Sequence, residues 1–256
     1  MMNKILENTI KENLKEGKRL DGRGLDDFRP VKVETGVIAK AEGSALVTLG
    51  NAKVMAGIKV NVGTPFPDTP DKGVLMTGAE FTAMSHEEYE PGPPGPAAIE
   101  VARVTDRTIR EGEIIDVSNL VIEAGEKVWM VFADIYSINA DGNMFDSSAL
   151  AVMAALNTAK MPEYKDGQVI RENLKKNLPV DGMAVSVTFC KIGDAIIVDP
   201  TMQEEKLLEA RLTVGIKDGN IVALQKGGDG GFTDAELGDI LDRAMVHSKK
   251  LLKVLK

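Results

Sequence analysis

Residues 127–161, KVWMVFADIYSINADGNMFDSSALAVMAALNTAKM, constrain this chain more than any other stretch. Apolar residues fall at both odd and even positions over 128–139, the pattern of a strand buried on both faces. Ala140-Asp141-Gly142-Asn143 then supplies turn chemistry, because Gly tolerates positive φ and Asp and Asn bond back to their own backbone. Asp146 or Ser147 can cap a following helix over 148–158, with Pro162 marking its end. Its Ala, Leu, Val and Met content makes that helix a core element. A buried strand feeding a tight turn and a helix N-terminus is a place where free N–H groups hold anions. Here the position offers Met144 and Phe145 and no cation. The sequence shows the frame of an anion site without its charge.

The rest of the composition bounds the reading. With 256 residues, 43% of them hydrophobic, the chain can bury a full core as one large domain or two halves. A net charge of −8 argues against indiscriminate nucleic-acid binding, while leaving room for a local basic groove. The single cysteine, Cys190, sits in an apolar run and reads as a buried thiol, and no disulfide can form within the chain. The opening MMNKILENTIKENLKEG lacks the apolar core of a signal peptide, and the longest apolar run, 149–156, is far short of a membrane span. A soluble cytoplasmic protein without a membrane anchor is expected.

Ile5, Leu6, Ile10 and Leu14 recur at helical spacing, and Gly17 can close that helix. Arg19-Leu20-Asp21-Gly22-Arg23 and Arg29-Pro30 read as a charged surface loop. The period then changes to two, giving strands over 31–39, 45–49 and 54–62 in a meander with one buried face. Pro-rich connections at 63–73 and 89–96 flank a short strand near 74–82. A helix over 97–111 follows. Ala98, Val101, Thr105 and Ile109 fall on one side of it, and Arg103, Arg107 and Arg110 on the other. By mechanism alone this stripe is first a solvated face with intrahelical ion pairs. Its second reading is a set of phosphate contacts, because all three cations are arginine.

A charged connection over 163–182 separates residues 31–162 from 183–256, with 1–30 as an N-terminal helix and arm. The second part repeats the grammar of the first. Strands are expected at 184–190, 195–198 and 212–216, and Asp218-Gly219-Asn220 turns into another at 221–225. Loop 227–231 reads as flexible, and Thr233-Asp234-Ala235-Glu236 is a capping box opening the last helix. Strands then helix, twice over, is a pseudo-duplicated α+β fold, although no sequence repeat proves it.

Asp199, Glu204, Glu205 and Glu209 follow a strand, where catalytic or metal-binding carboxylates often emerge. Lys206 and Arg211 lie among them, so a salt-bridged surface turn is the better expectation. His86 and His247 have no ligand-spaced partner and read as structural. No nucleophile elbow and no phosphate-binding loop is present, and neither a cofactor nor a metal is expected.

Taken together, these motifs resemble the RNase PH-like family. Arg19-Leu20-Asp21-Gly22-Arg23, Gly43-Ser44-Ala45 and Gly50-Asn51-Ala52-Lys53-Val54 look like its N-terminal signature and first-meander motifs. The likeness continues through IEVARVTDRTIREGEIID, GEKVWMVFADIYSINADGN and ALAVMAALNTAKMP, and covers nearly the whole chain. Those three blocks resemble the non-catalytic RNase PH-like subunit of the archaeal exosome more than RNase PH itself. The resemblance implies an α+β RNase PH-like fold, of the ribosomal protein S5 domain 2-like kind, in two similar halves. In active relatives the turn after the central strand carries Gly-Gly, then Ser or Thr, then Arg, which cradle the attacking phosphate. Here the run is Gly142-Asn143-Met144-Phe145, without hydroxyl or guanidinium. The acidic motif of active relatives aligns with Asp199, Glu205 and Arg211: one acid kept, one lengthened, one inverted in charge.

The resemblance therefore implies a non-catalytic subunit, not an enzyme. It would pair with a catalytic RNase PH-like paralogue, three copies of each in a hexameric ring that shortens RNA from its 3′ end by phosphorolysis. RNA-binding cap proteins are further expected partners. Arg103 and Arg107 would hold RNA near the partner's active site. The alternative is a phosphorolytic 3′-to-5′ exoribonuclease active in its own right. A small-molecule-binding protein has little support.

Overall fold

The structure, a computed structural model, describes residues 4–172, 174 and 176–255. Helix α1 (Lys4–Lys15) precedes a meander of β1 (Val31–Thr35), β2 (Gly43–Leu49) and β3 (Ala52–Gly63). Then come β4 (Val74–Phe81), α2 (Pro96–Glu111), a 3-10 turn (Val117–Leu120), β5 (Val121–Glu123), β6 (Lys127–Asn139) and α3 (Met144–Thr158). The first sheet has the order β1-β2-β3-β6-β4, with β5 also on β6. Only β4 pairs with its neighbour in parallel.

The connection contains short strands: β7 (Lys160–Met161), the β8 (Glu163–Lys165) and β9 (Gln168–Ile170) hairpin, and β10 (Lys176–Asn177), which pairs with β7. The second sheet is built from β11 (Ala184–Ile192), β12 (Ala195–Val198), β13 (Ala210–Lys217) and β14 (Asn220–Gly227), in the order β12-β11-β13-β14. The one-turn helix α4 (Met202–Glu205) lies between β12 and β13, and α5 (Asp234–Val254) closes the chain.

Helix α3 explains why the two sheets form one core. Every residue from Met144 to Leu156 is buried. It packs on β2 and β3 on one side and on β11 on the other, with α2 beside it. An apolar helix without a polar face is stable only when covered all round. The alternation in β3 follows the same logic: Val54, Ala56, Ile58 and Val60 are fully buried, while Lys53 and Asn61 are exposed.

Three expectations are corrected. Strand β6 is not buried on both faces. Val131, Ala133 and Ile135 point into the core, but Asp134 and Tyr136 are exposed and Met130 and Phe132 are half-buried, because α3 covers one side only. The strand covered on both faces is β11: Thr188 meets Asp146 of α3, while Phe189 meets His247 of α5. Helix α3 begins at Met144, not at residue 148. Its cap is Asn143, whose side-chain oxygen accepts the Asp146 N–H, so Asp146 and Ser147 lie inside the first turn. Strand β1 stops at Thr35, because Gly36 takes φ +70° and turns the chain.

Other expectations hold. Thr233 and Glu236 form the capping box of α5. Asp218 and Gly219 make the turn from β13 to β14. Cys190 is buried, and it is with Ile192 and Ile197 that Ile10 and Leu14 of α1 pack. Among the described residues, no helix is long and apolar enough to cross a membrane.

Candidate functional site

The turn between β6 and α3 meets the segment after β12, so the two halves contribute jointly. Gly142 takes φ +78°, and a methyl there would lie 2.4 Å from the Met202 backbone nitrogen. The turn is thus pressed against the start of α4. Asn143, with φ +52°, caps α3, and its own backbone N–H donates to Glu205 Oε1 at 2.9 Å. Instead of a free anion seat, the helix N-terminus already holds a carboxylate from the second half.

Asp199, the acid kept from the family pattern, is fully buried and saturated. Its Oδ2 accepts from Arg29 N (2.8 Å), Arg29 Nε (2.9 Å) and Arg23 Nη1 (2.9 Å). Its Oδ1 accepts from Arg29 Nη2 (2.7 Å) and Asn143 Nδ2 (2.8 Å). A carboxylate has about four lone-pair sites. Five donors leave none for a leaving group or a metal.

The expected surface loop and surface turn are corrected in part: Leu20, Asp21, Gln203 and Lys206 are exposed, but four of the charged side chains turn inward. Arg19 and Arg29 are buried, as are Asp199 and Glu204. Arg19 Nε donates to Glu204 Oε1 at 2.8 Å, and Arg19 Nη1 and Nη2 donate to the carbonyls of Val198 and Asp199. The turn is salt-bridged, but by Arg19, Arg23 and Arg29 of the N-terminal arm; the neighbouring cations Lys206 and Arg211 pair elsewhere, with Glu88 and Glu100. Glu205 is half-buried, while Glu209 is exposed and accepts the Gly193 N–H. Lys206 pairs with Glu88 at 2.8 Å on the surface. Loop 227–231 is packed rather than free, since Gly230 N–H donates to the Glu209 carbonyl at 2.7 Å.

Burial shapes the charge of this cluster. It pushes the Glu205 carboxyl up to about 7, against the N–H of Asn143 and the cations Arg211 and Arg29, with Asp199 adding to the rise. Burial likewise pushes Asp146 up to about 7, although Asn143 and Thr188 donate to it.

Phe145 and Arg211 complete the closure. Phe145 is buried, and the Arg211 guanidinium carbon stands 4.1 Å from its ring centroid. Arg211 also ion-pairs with Glu100 of α2, which accepts from Gln225 Nε2 at 3.2 Å.

On the outer side of α2, Arg103, Arg107 and Arg110 are all exposed. With Asp106 they border a cleft of about 580 Å³ whose opposite wall includes Met76, Phe132 and Asp134. Thus Arg103 and Arg107 share a surface, separate from the closed turn. His86 accepts the Glu88 N–H, and His247 packs between Phe28 and Phe189, so both act structurally. Arg29, Asn143 and Asp146, legible in the sequence as a loop cation, a turn residue and a cap candidate, are members of this buried cluster. No local signal joins Arg29 to the other two, because it meets Asn143 only through Asp199, far from both in the sequence.

Comparison with known proteins agrees with this architecture. The family model of the 3′ exoribonuclease family, domain 1, matches residues 27–162, and that of domain 2 matches 182–246. The chain is 45% identical to the exosome complex component Rrp42 of Thermococcus gammatolerans, over 98% of this chain and 94% of that protein. It is 48% identical to Rrp42 of Methanosarcina mazei, over 91% and 87% of the two chains. A chain of the Archaeoglobus fulgidus exosome, solved with RNA bound to the active site, superposes with a TM-score of 0.92. The two are 43% identical, over 99% of this chain and 98% of that one. A chain of an archaeal exosome core gives 0.88 at 41% identity, over 98% and 96%. With both family domains in order and relatives this similar over nearly their full length, the chain belongs to the RNase PH-like 3′ exoribonuclease family.

Proposed function

We propose that this chain is a non-catalytic, RNA-binding component of an exosome ring. It pairs with a catalytic RNase PH-like paralogue and guides RNA to that partner's site for 3′-end phosphorolysis. The observation that carries the reading is the Glu205 carboxylate on the Asn143 N–H, where active relatives cradle phosphate. With or without its proton, that carboxyl occupies the donor a phosphate would need, so an entering phosphate would have to displace it. Phe145 adds no donor, and Asp199 has no free lone pair. The similarity to exosome components supports the assembly, and the exposed Arg103 and Arg107 suit the phosphate backbone of single-stranded RNA.

The test is RNA degradation with added phosphate, by this chain alone and by this chain mixed with its catalytic paralogue. Silence alone, activity in the mixture, and a loss of that activity with Arg103→Ala and Arg107→Ala are expected. Nucleoside diphosphates released by this chain alone, and abolished by Asp199→Ala, would make it an enzyme instead.

A further inference from the structure

The three arginines of α2 are not held alike. Among the described residues, no hydrogen bond or ion pair engages Arg103. Arg107 reaches only Gln225 Oε1 at 3.5 Å, the outer limit of hydrogen bonding. Arg110 is gripped. Its Nε and Nη2 donate to the two Asp106 oxygens, both at 2.9 Å, and Nη2 also donates to the Leu75 carbonyl at 2.8 Å. Thr77 Oγ1 donates to Asp106 Oδ1 at 3.1 Å. Leu75 and Thr77 belong to β4, so this bracket ties the last turns of α2 to the edge strand of the first sheet.

An exposed i,i+4 ion pair is usually worth only a few tenths of a kcal/mol. This one is bidentate and extends to two groups on a second element, the geometry in which such pairs do matter. Asp106 also cancels the Arg110 charge locally, and three of the five guanidinium N–H groups are already committed. A phosphate approaching here would have to compete with a carboxylate.

We infer that Arg110 is a positioning residue and not an RNA contact: with Asp106 and Thr77 it fixes α2 against β4, leaving Arg103 and Arg107 as the pair presented to RNA. This rests on the RNA-binding reading above. The test measures affinity of the assembled ring for a single-stranded RNA oligonucleotide across a salt series. Each phosphate contact contributes about 0.7 to the slope of log affinity against log salt. Arg103→Ala and Arg107→Ala should each make the slope shallower by about that amount. Arg110→Ala should leave the slope unchanged and weaken binding by the same factor at every salt. Thr77→Val, which alters no charge, should give a smaller loss of the same kind, and it carries the test if Arg110→Ala does not assemble. A slope that falls with Arg110→Ala and returns with Arg110→Lys would overturn the inference, as would unweakened binding by Thr77→Val. A slope untouched by all three alanine variants would overturn the RNA-binding reading itself.

Discussion

The Arg211 guanidinium carbon lies 4.1 Å from the centroid of the Phe145 ring. These are two of the positions at which the chain departs from the pattern of active RNase PH-like proteins, and here they contact each other. Arg211 also holds Glu100, so the departure links β13 to α2. A partly desolvated cation–π contact is worth about 1–2 kcal/mol. Removing a buried Phe also leaves a cavity, and Phe145→Ala should cost about 3–5 kcal/mol in all. Denaturant unfolding of Phe145→Ala, Arg211→Met and the double variant should give a coupling of about 1 kcal/mol. Strict additivity would mean that ring and guanidinium act independently.

The sequence reveals elements whose cause is local, and hides those whose cause is distant. The meander could be read because each strand alternates against one covering layer, and the Thr233 box because its two partners are three residues apart. Arg19 and Arg29 looked like loop cations because their acids, Glu204 and Asp199, lie at the other end of the chain. Strand β6 reads as doubly buried because Met130, Phe132 and Tyr136 are largely apolar, yet among the described residues no helix packs over them as α3 packs over Val131 and Ile135. The true cap of α3 was missed because Asp146 and Ser147 are equally good cap types, and only the left-handed turn at Asn143 decides among them. The closed anion seat was half visible. Missing charge at Met144 and Phe145 could be read, whereas a carboxylate arriving from Glu205 could not.

Glu205 should make stability depend on pH in a definite direction. Burial raises its carboxyl from 4.5 to about 7. The folded chain therefore binds a proton that the unfolded chain has already released. The stability this contributes is fully present below the unfolded value and is lost as pH rises through about 7. Unfolding free energy should fall between about pH 5 and about pH 8. In Glu205→Gln, where an amide oxygen can still accept the Asn143 N–H, that fall should be shallower. Parallel curves for the two proteins would assign the pH dependence elsewhere, with the similarly raised Asp146 the next group to replace.

The Arg19–Glu204 pair fastens the N-terminal arm to the second half, with the two side chains 0% and 5% exposed. Breaking a buried ion pair by removing one partner costs about 3–5 kcal/mol, because the other charge is stranded. Arg19→Ala should lose that much in equilibrium unfolding. Pairing Arg19→Met with Glu204→Gln should lose less, since the stranded charge is gone while Gln can still accept from Thr201 and maintain the cap of α4. A double variant as unstable as Arg19→Ala would mean that shape, not charge, is what the site requires.

Gly142 offers the most direct test of how tightly the two halves meet. Its φ is +78°, and a left-handed backbone costs a non-glycine residue about 1–2 kcal/mol. Gly125 has nearly the same φ, +79°, but a methyl there would meet nothing within 4 Å. At Gly142 the methyl would lie 2.4 Å from Met202 N and from the Thr201 carbonyl carbon, and 2.6 Å from Pro200 O. These are backbone atoms and cannot rotate aside, so the turn and the start of α4 would have to separate. Gly125→Ala should therefore lose only the backbone cost, and Gly142→Ala well more than that in the same denaturant series. The separation should also lengthen the Asn143–Glu205 hydrogen bond, relieving part of the burial that raises the Glu205 carboxyl. The pH-dependent fall in stability should then shrink in Gly142→Ala and persist in Gly125→Ala. Equal losses in the two variants would show that the junction yields, and that Glu205 is not held against the α3 N-terminus by a rigid contact between the halves.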